Sequence, residues 1–279
     1  ITDESIKGFR ALSDEQMYEA KNSESADVVR QLESLALTSF SELDLSWSEW
    51  LLAYDPPIQL EDNEIIEEVG LAPKLGAGMS RTEKELDIVS PYFVPGEKFT
   101  QSLVNKANSG VRVRILTNSL QSNDVSLVHA GYMRYREDLI AGGVEMYEYR
   151  AVRNSGLGKE AGKNEIEPEK ASLHAKFIGF DRRFLFVGSF NLYPRSRDLN
   201  TELGAYFESP DHARRLAEIF DEEIMFIAYR VKLDEDGELE WYTLDENGQV
   251  QRVDQEPDTT FWKRFNTRIL SPIVPESQL

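Results

Sequence analysis

From residue 85 onward, short apolar runs alternate with amphipathic segments, and this alternation restricts the available folds more than any other feature. Leu86-Asp87-Ile88-Val89 reads as a buried strand ending at Ser90-Pro91-Tyr92. Phe99, Leu103 and Ala107 share one face of a helix over residues 97–109, which Gly110 stops. The run 111–116 alternates as a strand does and ends at Thr117-Asn118-Ser119. Asn123 or Asp124 is expected to cap the next helix, whose apolar positions are Val125, Val128, Tyr132, Tyr135 and Leu139, with Gly142-Gly143 closing it. Residues 144–149 form a third strand. The Gly-rich, charged stretch 151–170 lacks periodicity and is expected to be a mobile loop. Two apolar runs, 173–180 and 184–190, are joined in hairpin fashion at Asp181-Arg182-Arg183; a strand near 202–208 and a helix over residues 211–227 follow.

Strand–helix–strand order predicts an α/β/α sandwich with a mixed, largely parallel sheet. Function in such sheets gathers at the carboxyl ends of strands, where Ser90, Tyr92, Asn118 and Ser119 fall. Residues 1–84 read as an acidic helical lead-in. They include a helical pattern at 25–37, a Trp-containing stretch at 45–52 treated as part of the same helical region, and a hinge or turn at Gly76–Ser80. Residues 231–279 read as a hairpin around Asn247-Gly248 followed by a basic amphipathic segment, 261–270. The expected division is therefore 1–84, 85–230 and 231–279.

The formal net charge is -19, with 18 acids against 7 bases in residues 1–84. A nucleic-acid binder rests on a basic surface, so this balance disfavours that class. There is no Cys and only three His, which excludes Cys-ligated metals and leaves too few ligands for a His-rich site; neither metal nor cofactor is expected. No apolar run approaches the ~18–20 residues needed to span a bilayer. The chain starts at Ile1 without an initiator Met, and it is expected to begin inside a longer protein.

The sharpest local pattern is His174-Ala175-Lys176, then Asp181, then Gly188-Ser189-Phe190-Asn191. Six specified positions at fixed spacing arise by chance in about one chain of this length in 10^5, or fewer. Strand periodicity puts His174 and Lys176 on one face, and the returning strand is expected to set Ser189 and Asn191 beside them, again co-facial. Lys offers fixed positive charge, while Ser and Asn offer donors to phosphoryl oxygens. His can attack phosphorus or protonate a leaving alkoxide near neutral pH. His129, mid-helix among apolar neighbours, favours a packing or helix-surface role over the site, and His212 favours the surface.

This pattern resembles the HKD motif of the phospholipase D superfamily at each fixed position. Ser90-Pro91-Tyr92-Phe93-Val94-Pro95, Leu116–Leu120, Asn123-Asp124-Val125, Val128–Tyr132, Pro194-Arg195-Ser196 and Phe261-Trp262-Lys263-Arg264 are similar to segments of the bacterial cardiolipin synthase branch, in its C-terminal half. The resemblance implies a catalytic set of His174, Lys176, Asp181 and Glu202. In it His174 is the general acid, Glu202 orients the imidazole, and Asp181 fixes the hairpin rather than touching substrate. Lys176, Ser189 and Asn191 would bind the phosphate, and Tyr92, Asn118 and Asp124 are candidates for lining the pocket.

The implied reaction is phosphatidyl transfer through a phosphohistidine, giving cardiolipin from phosphatidylglycerol-type lipids, without a metal. It uses two motifs from two halves, and this chain carries one. An absent N-terminal half, a second copy of the chain, or a motif surviving in a non-catalytic binding module would each account for that, in this order of preference. Hydrolysis of phospholipid or nucleic acid is the alternative reaction. The implied setting is a bacterial membrane surface, with residues 261–270 either docking there or packing on their own domain.

Overall fold

The computed structural model describes residues 47–55, 70–151, 171–271 and 275. All the elements below belong to the unit Ser48–Leu279. In chain order they are β1 (Trp50–Tyr54), α1 (Leu71–Arg81), β2 (Glu85–Val89), α2 (Gly96–Asn108), β3 (Arg112–Asn118), α3 (Ser126–Ala141) and β4 (Glu145–Tyr149). Then come β5 (Phe177–Phe180), β6 (Phe184–Gly188), α4 (Pro194–Asp198), β7 (Leu203–Glu208) and α5 (Pro210–Glu218). A π-helical turn (Ile219–Glu223), α6 (Ile224–Ile227), β8 (Ala228–Leu233), β9 (Leu239–Leu244), β10 (Val250–Val253) and α7 (Phe261–Leu270) complete them.

The strands form one sheet in the order β1-β7-β6-β5-β2-β3-β4-β8-β9-β10. Helices cover both faces, as the alternation in the sequence predicts. Adjacent residues of the central strands divide between two cores. Ile88, Ile115 and Met146 join Leu75, Leu103, Val128 and Leu139 of α1–α3. Val89, Leu116 and Tyr147 join Leu216, Phe220 and Ile224 on the other face. These strands are buried on both faces, and the charged side chains they bury, among them Asp87, Arg114 and Glu148, are paired with opposite charges.

The sheet is mixed, but parallel pairing is a smaller share than expected: among the described strands it joins β2 to β3 and β3 to β4, with a further isolated parallel bridge between Phe93 and Leu192. Strands β2, β3 and β4 are linked by crossover helices, which return the chain to the same end of the sheet. From β5 on, tight turns reverse it. Asp181 and Arg182 carry φ of 52° and 54° in the three-residue β5–β6 turn, which Arg183 N–H closes by donating to Phe180 O at 3.0 Å.

Three expectations for the lead-in and tail are corrected. The Trp-containing stretch is not helical but supplies edge strand β1, which pairs antiparallel with β7; its apolar residues are consecutive rather than periodic. Gly76–Ser80 lies inside α1, not in a hinge, with Leu75 and Met79 buried four residues apart. The boundaries at 84 and 230 do not divide the architecture, because β1 belongs to the same sheet and β8 runs through residue 230. The helix read at 25–37 and most of the loop at 151–170 lie outside the described residues.

Ion pairs tie the amino ends of β2 and β3. Arg114, fully buried, donates to Asp87 through Nε at 2.6 Å and Nη2 at 3.0 Å, to Asp221 at 2.7 Å, and to Glu85. Burial pushes the Asp87 carboxyl up to about 6 even with Arg114 beside it. A second buried cluster links α3 to the tail: Arg136 meets Glu148 and Glu256, each at 2.8 Å, and Trp241 Nε1 donates to Glu148.

Candidate active site

The register of the antiparallel strands gathers the motif at the edge formed by the carboxyl ends of β2 and β3. Val89 pairs with Phe177, so the residues just before β5 stand beyond the end of β2. Gly188 pairs with Gly204, which brings the end of β6 against the start of β7. His174 and Lys176 lie in an extended lead-in to β5 rather than in the strand itself. Leu173, Ala175 and Phe177 pack on the second core, so the alternation turns His174 and Lys176 away from it. The imidazole is exposed and Lys176 half-buried. Lys176 Nζ donates to the His174 carbonyl at 2.9 Å. Burial holds the Lys176 ammonium below its ordinary pKa, and the Glu202 carboxylate pulls the other way.

Glu202 is buried and heavily bonded. It accepts from Ser189 Oγ, from Ser196 Oγ at 2.6 Å and from Asn200 Nδ2 at 3.0 Å. Its own N–H donates to Asp55 at 3.0 Å. The expected bond from Glu202 to His174 is not among the bonds Glu202 makes. Glu202 begins β7, two strands from β5, and neighbouring strands lie about 4.8 Å apart, so roughly 10 Å separates the two positions. Within this chain Glu202 organises Ser189 directly and acts on Lys176 by its charge.

The expected co-facial set also needs revision. Gly188 N donates to Lys176 O at 3.4 Å, which extends the register one pair and places Ser189 opposite Ala175. Periodicity alone therefore sets Ser189 out of phase with His174. The strand ends at Gly188, however, and Ser189 turns to Glu202 and to the Leu203 backbone. A Cβ on Gly188 would lie 2.7 Å from Leu203 O and from the Phe186 ring, so only Gly allows β7 to approach this closely. Asn191 is buried, its N–H donates to Ser196 Oγ, and its Oδ1 has no partner.

The remaining residues separate clearly. Asp181 is at the opposite end of β5 from His174, where its carboxylate accepts the N–H groups of Glu83, Lys84 and Glu85 at 2.7–3.2 Å. It belongs to the hairpin anchor, not to the catalytic set. Asn118 is turned inward: it is buried, and its amide is occupied by Pro91 O and by both sides of the Leu173 peptide. Tyr92 and Asp124 stay at the edge, with the Tyr92 hydroxyl donating to Asp124 at 2.7 Å. Burial, reinforced by Asp124, raises the Tyr92 pKa to about 12. His129 is packed in the interior, 3.8 Å from Glu256, and His212 is exposed. Sequence reasoning missed Asp55 and Ser196 as supports of Glu202. Asp55 sits 147 residues away from its partner, and no local pattern marks such a pairing. No group of three or more metal-ligating side chains occurs among the described residues.

The family model described as "Cardiolipin synthase, PLD-like domain" matches residues 76–224. The chain belongs to this family. It is 36% identical over 241 residues to cardiolipin synthase C of Escherichia coli, covering 84% of this chain and 48% of that protein. It is 27% identical over 179 residues to the probable cardiolipin synthase YwiE of Bacillus subtilis, covering 61% and 32%. The PLD-like chain thus spans about half the length, or less, of the curated relatives it matches. A solved phospholipase D family member, Nuc from Salmonella typhimurium, aligns with a TM-score of 0.47 and 13% identity, over 67% of this chain and 99% of that one.

Proposed function

We propose that this chain supplies one of two HKD motifs, the second, to a phosphatidyltransferase that makes cardiolipin-type lipids through a phosphohistidine. The observation that carries the reading is the meeting of His174, Lys176, Ser189, Asn191 and Glu202 at one edge of the sheet, with Ser189 bonded to Glu202. Lys176 offers charge to a phosphate, and the Asn191 amide offers Nδ2 as a donor. Phosphoryl transfer asks chiefly for such positioning and neutralisation.

In the first step a histidine nitrogen from the partner motif attacks phosphorus. The P–O bond to the leaving alcohol breaks, and His174 gives its proton to the departing alkoxide. In the second step an acceptor alcohol loses its proton to His174 and attacks phosphorus, and the P–N bond breaks. With phosphatidylglycerol as acceptor the product is a cardiolipin; with water it is phosphatidic acid, the phospholipase D outcome. The partner motif comes from another half of a longer chain or from a second copy.

Contact with the bilayer falls to α7, where Phe261, Trp262, Phe265 and Ile269 are all exposed beside Lys263, Arg264 and Arg268. Lys263 Nζ bonds Gln121 in the loop after β3, which keeps this helix near the catalytic edge. No helix among the described residues is long and apolar enough to cross a membrane. Peripheral attachment to a bacterial membrane fits that chemistry.

Replacing His174 by Ala in the protein carrying both motifs, and following labelled phosphatidylglycerol, tests the assignment. Transfer should cease and labelled phosphoenzyme should accumulate or be lost with it. Wild-type turnover would refute the role of His174. This chain alone should show little or no turnover.

A further inference from the structure

An apolar pocket opens beside the catalytic edge, between α1, the start of α2 and the segment after β6. Its volume is about 180 Å³, and its walls include Leu75, Met79, Val94, Phe99, Phe190 and Leu192. Phe190 and Leu192 flank Asn191 in the chain, so the residue proposed to meet the phosphate and two walls of the pocket belong to one short segment. Val94 is held to that segment by its N–H bond to Leu192 O at 2.8 Å.

Gly76 also lines this pocket. It sits mid-helix in α1, has no positive φ, and a Cβ added there would meet nothing within 4 Å. Neither backbone conformation nor close packing calls for Gly at this position, although Gly destabilises a helix interior relative to Ala. What the missing side chain does provide is open volume.

We propose that this pocket receives the proximal part of one acyl chain of the phospholipid whose phosphate lies against Lys176 and Asn191. The proposal rests on the phosphate reading of the site above. Benzene fills an apolar cavity of about 150 Å³, so the pocket has room for about six carbon atoms, the remainder of the chain leaving through its mouth. Burial of several methylenes is enough for a pocket of this size to discriminate acylated from non-acylated phosphodiesters. The walls are apolar apart from the Tyr193 hydroxyl and the side chain of Arg197, which suits hydrocarbon and not a second headgroup.

The test compares inorganic phosphate with octyl phosphate by calorimetric titration, in wild type, Gly76→Leu, Ala72→Phe and Lys176→Ala. Ala72 is a second pocket residue on the same helix, and thermal unfolding shows that each variant is folded. Octyl phosphate should bind wild type at least about tenfold more tightly than inorganic phosphate. Gly76→Leu and Ala72→Phe should each abolish that advantage and leave inorganic phosphate affinity unchanged. An octyl advantage that survives both folded variants overturns the pocket, as does a variant that alters only the oligomeric state, which would mean that a neighbouring protein side chain fills it. The two readings fail separately. If Lys176→Ala weakens both ligands while the pocket variants change neither, the phosphate site stands and the acyl pocket falls. If the pocket variants act and Lys176→Ala does not, the acyl pocket stands and the phosphate reading falls.

Discussion

The side-chain amide of Asn118 holds the Leu173 peptide from both sides, its Oδ1 accepting from Leu173 N–H at 2.9 Å and its Nδ2 donating to Leu173 O at 3.1 Å. Leu173 immediately precedes His174, so the end of β3 fixes the backbone that carries the imidazole. Asn118→Ala leaves two peptide groups unpaired, a cost of about 1–3 kcal/mol. It should also lower kcat roughly tenfold or more by loosening His174. Thermal unfolding and turnover on a soluble phosphodiester check the two effects; an unchanged kcat in a destabilised variant would make the clamp purely structural.

Asp181 gives the contrasting case. Its carboxylate is held below the usual range by the backbone N–H groups of Glu85, Glu83 and Lys84, against the opposing effect of burial. Asp181→Ala should cost stability, by about 1–3 kcal/mol, and leave kcat nearly unaltered at temperatures where the protein is folded. Because that pKa is depressed, its stabilising contribution is present above the unfolded-state pKa and is lost as pH falls through the folded one. Urea titrations at pH 7 and pH 3 should show the difference between wild type and variant shrinking in acid.

Burial lowers the Lys176 pKa, and Glu202 limits that fall. Phosphate affinity should therefore decline at lower pH than for an ordinary lysine. Glu202→Gln should move this alkaline limb lower still. Folding binds fewer protons to Lys176 than unfolding does between its depressed pKa and 10.5, so its contribution to stability rises with pH in that window. Phosphate titrations from pH 7 to 10 read the shift; an unmoved limb in Glu202→Gln would remove the electrostatic coupling.

Arg114→Met strands the buried carboxylate of Asp87, while Glu85 keeps Arg182, and should cost about 3–5 kcal/mol at neutral pH. The Asp87 pKa, already raised to about 6, should rise further. A folded pKa above the unfolded one means that the native state binds more protons, so stability should fall as pH climbs through that range. The variant should melt at higher temperature at pH 5 than at pH 8.

Residues Glu256 and Arg136 make a fifth point of attack, on the tail. Burial opposes ionisation of Glu256, but the Arg136 guanidinium and His129 hold its carboxyl down, at about 2. Stability from this pair should persist above pH 4.5 and fade as pH drops toward 2. Glu256→Gln should lower the melting temperature at pH 7 and flatten that acid limb.

Much of the scaffold can be read from neighbouring residues. The two-core division of β2, β3 and β4 follows from the adjacent apolar pairs Ile88-Val89, Ile115-Leu116 and Met146-Tyr147, whose members face opposite sides, and the β5–β6 hairpin follows from run, turn and run. Likewise, the HKD spacing singles out His174, Lys176 and Asn191 without any knowledge of the fold. The errors have equally specific causes. β1 was hidden because an edge strand buries only Ala53 and so carries no period-2 signal. The phase of Ser189 is not legible from spacing because it depends on the β5–β6 register, which sets Ser189 opposite Ala175.

By itself the sequence determines most strands and helices from residue 85 onward and which side chains carry chemistry, since both depend on residue type and on spacing within a few positions. Only the tertiary structure decides what Glu202 and Asn118 do. Their partners at Ser189, Asp55 and Leu173 lie 13, 147 and 55 residues away, and such distances along the chain close only when strand register has been chosen by burying both faces of the sheet together.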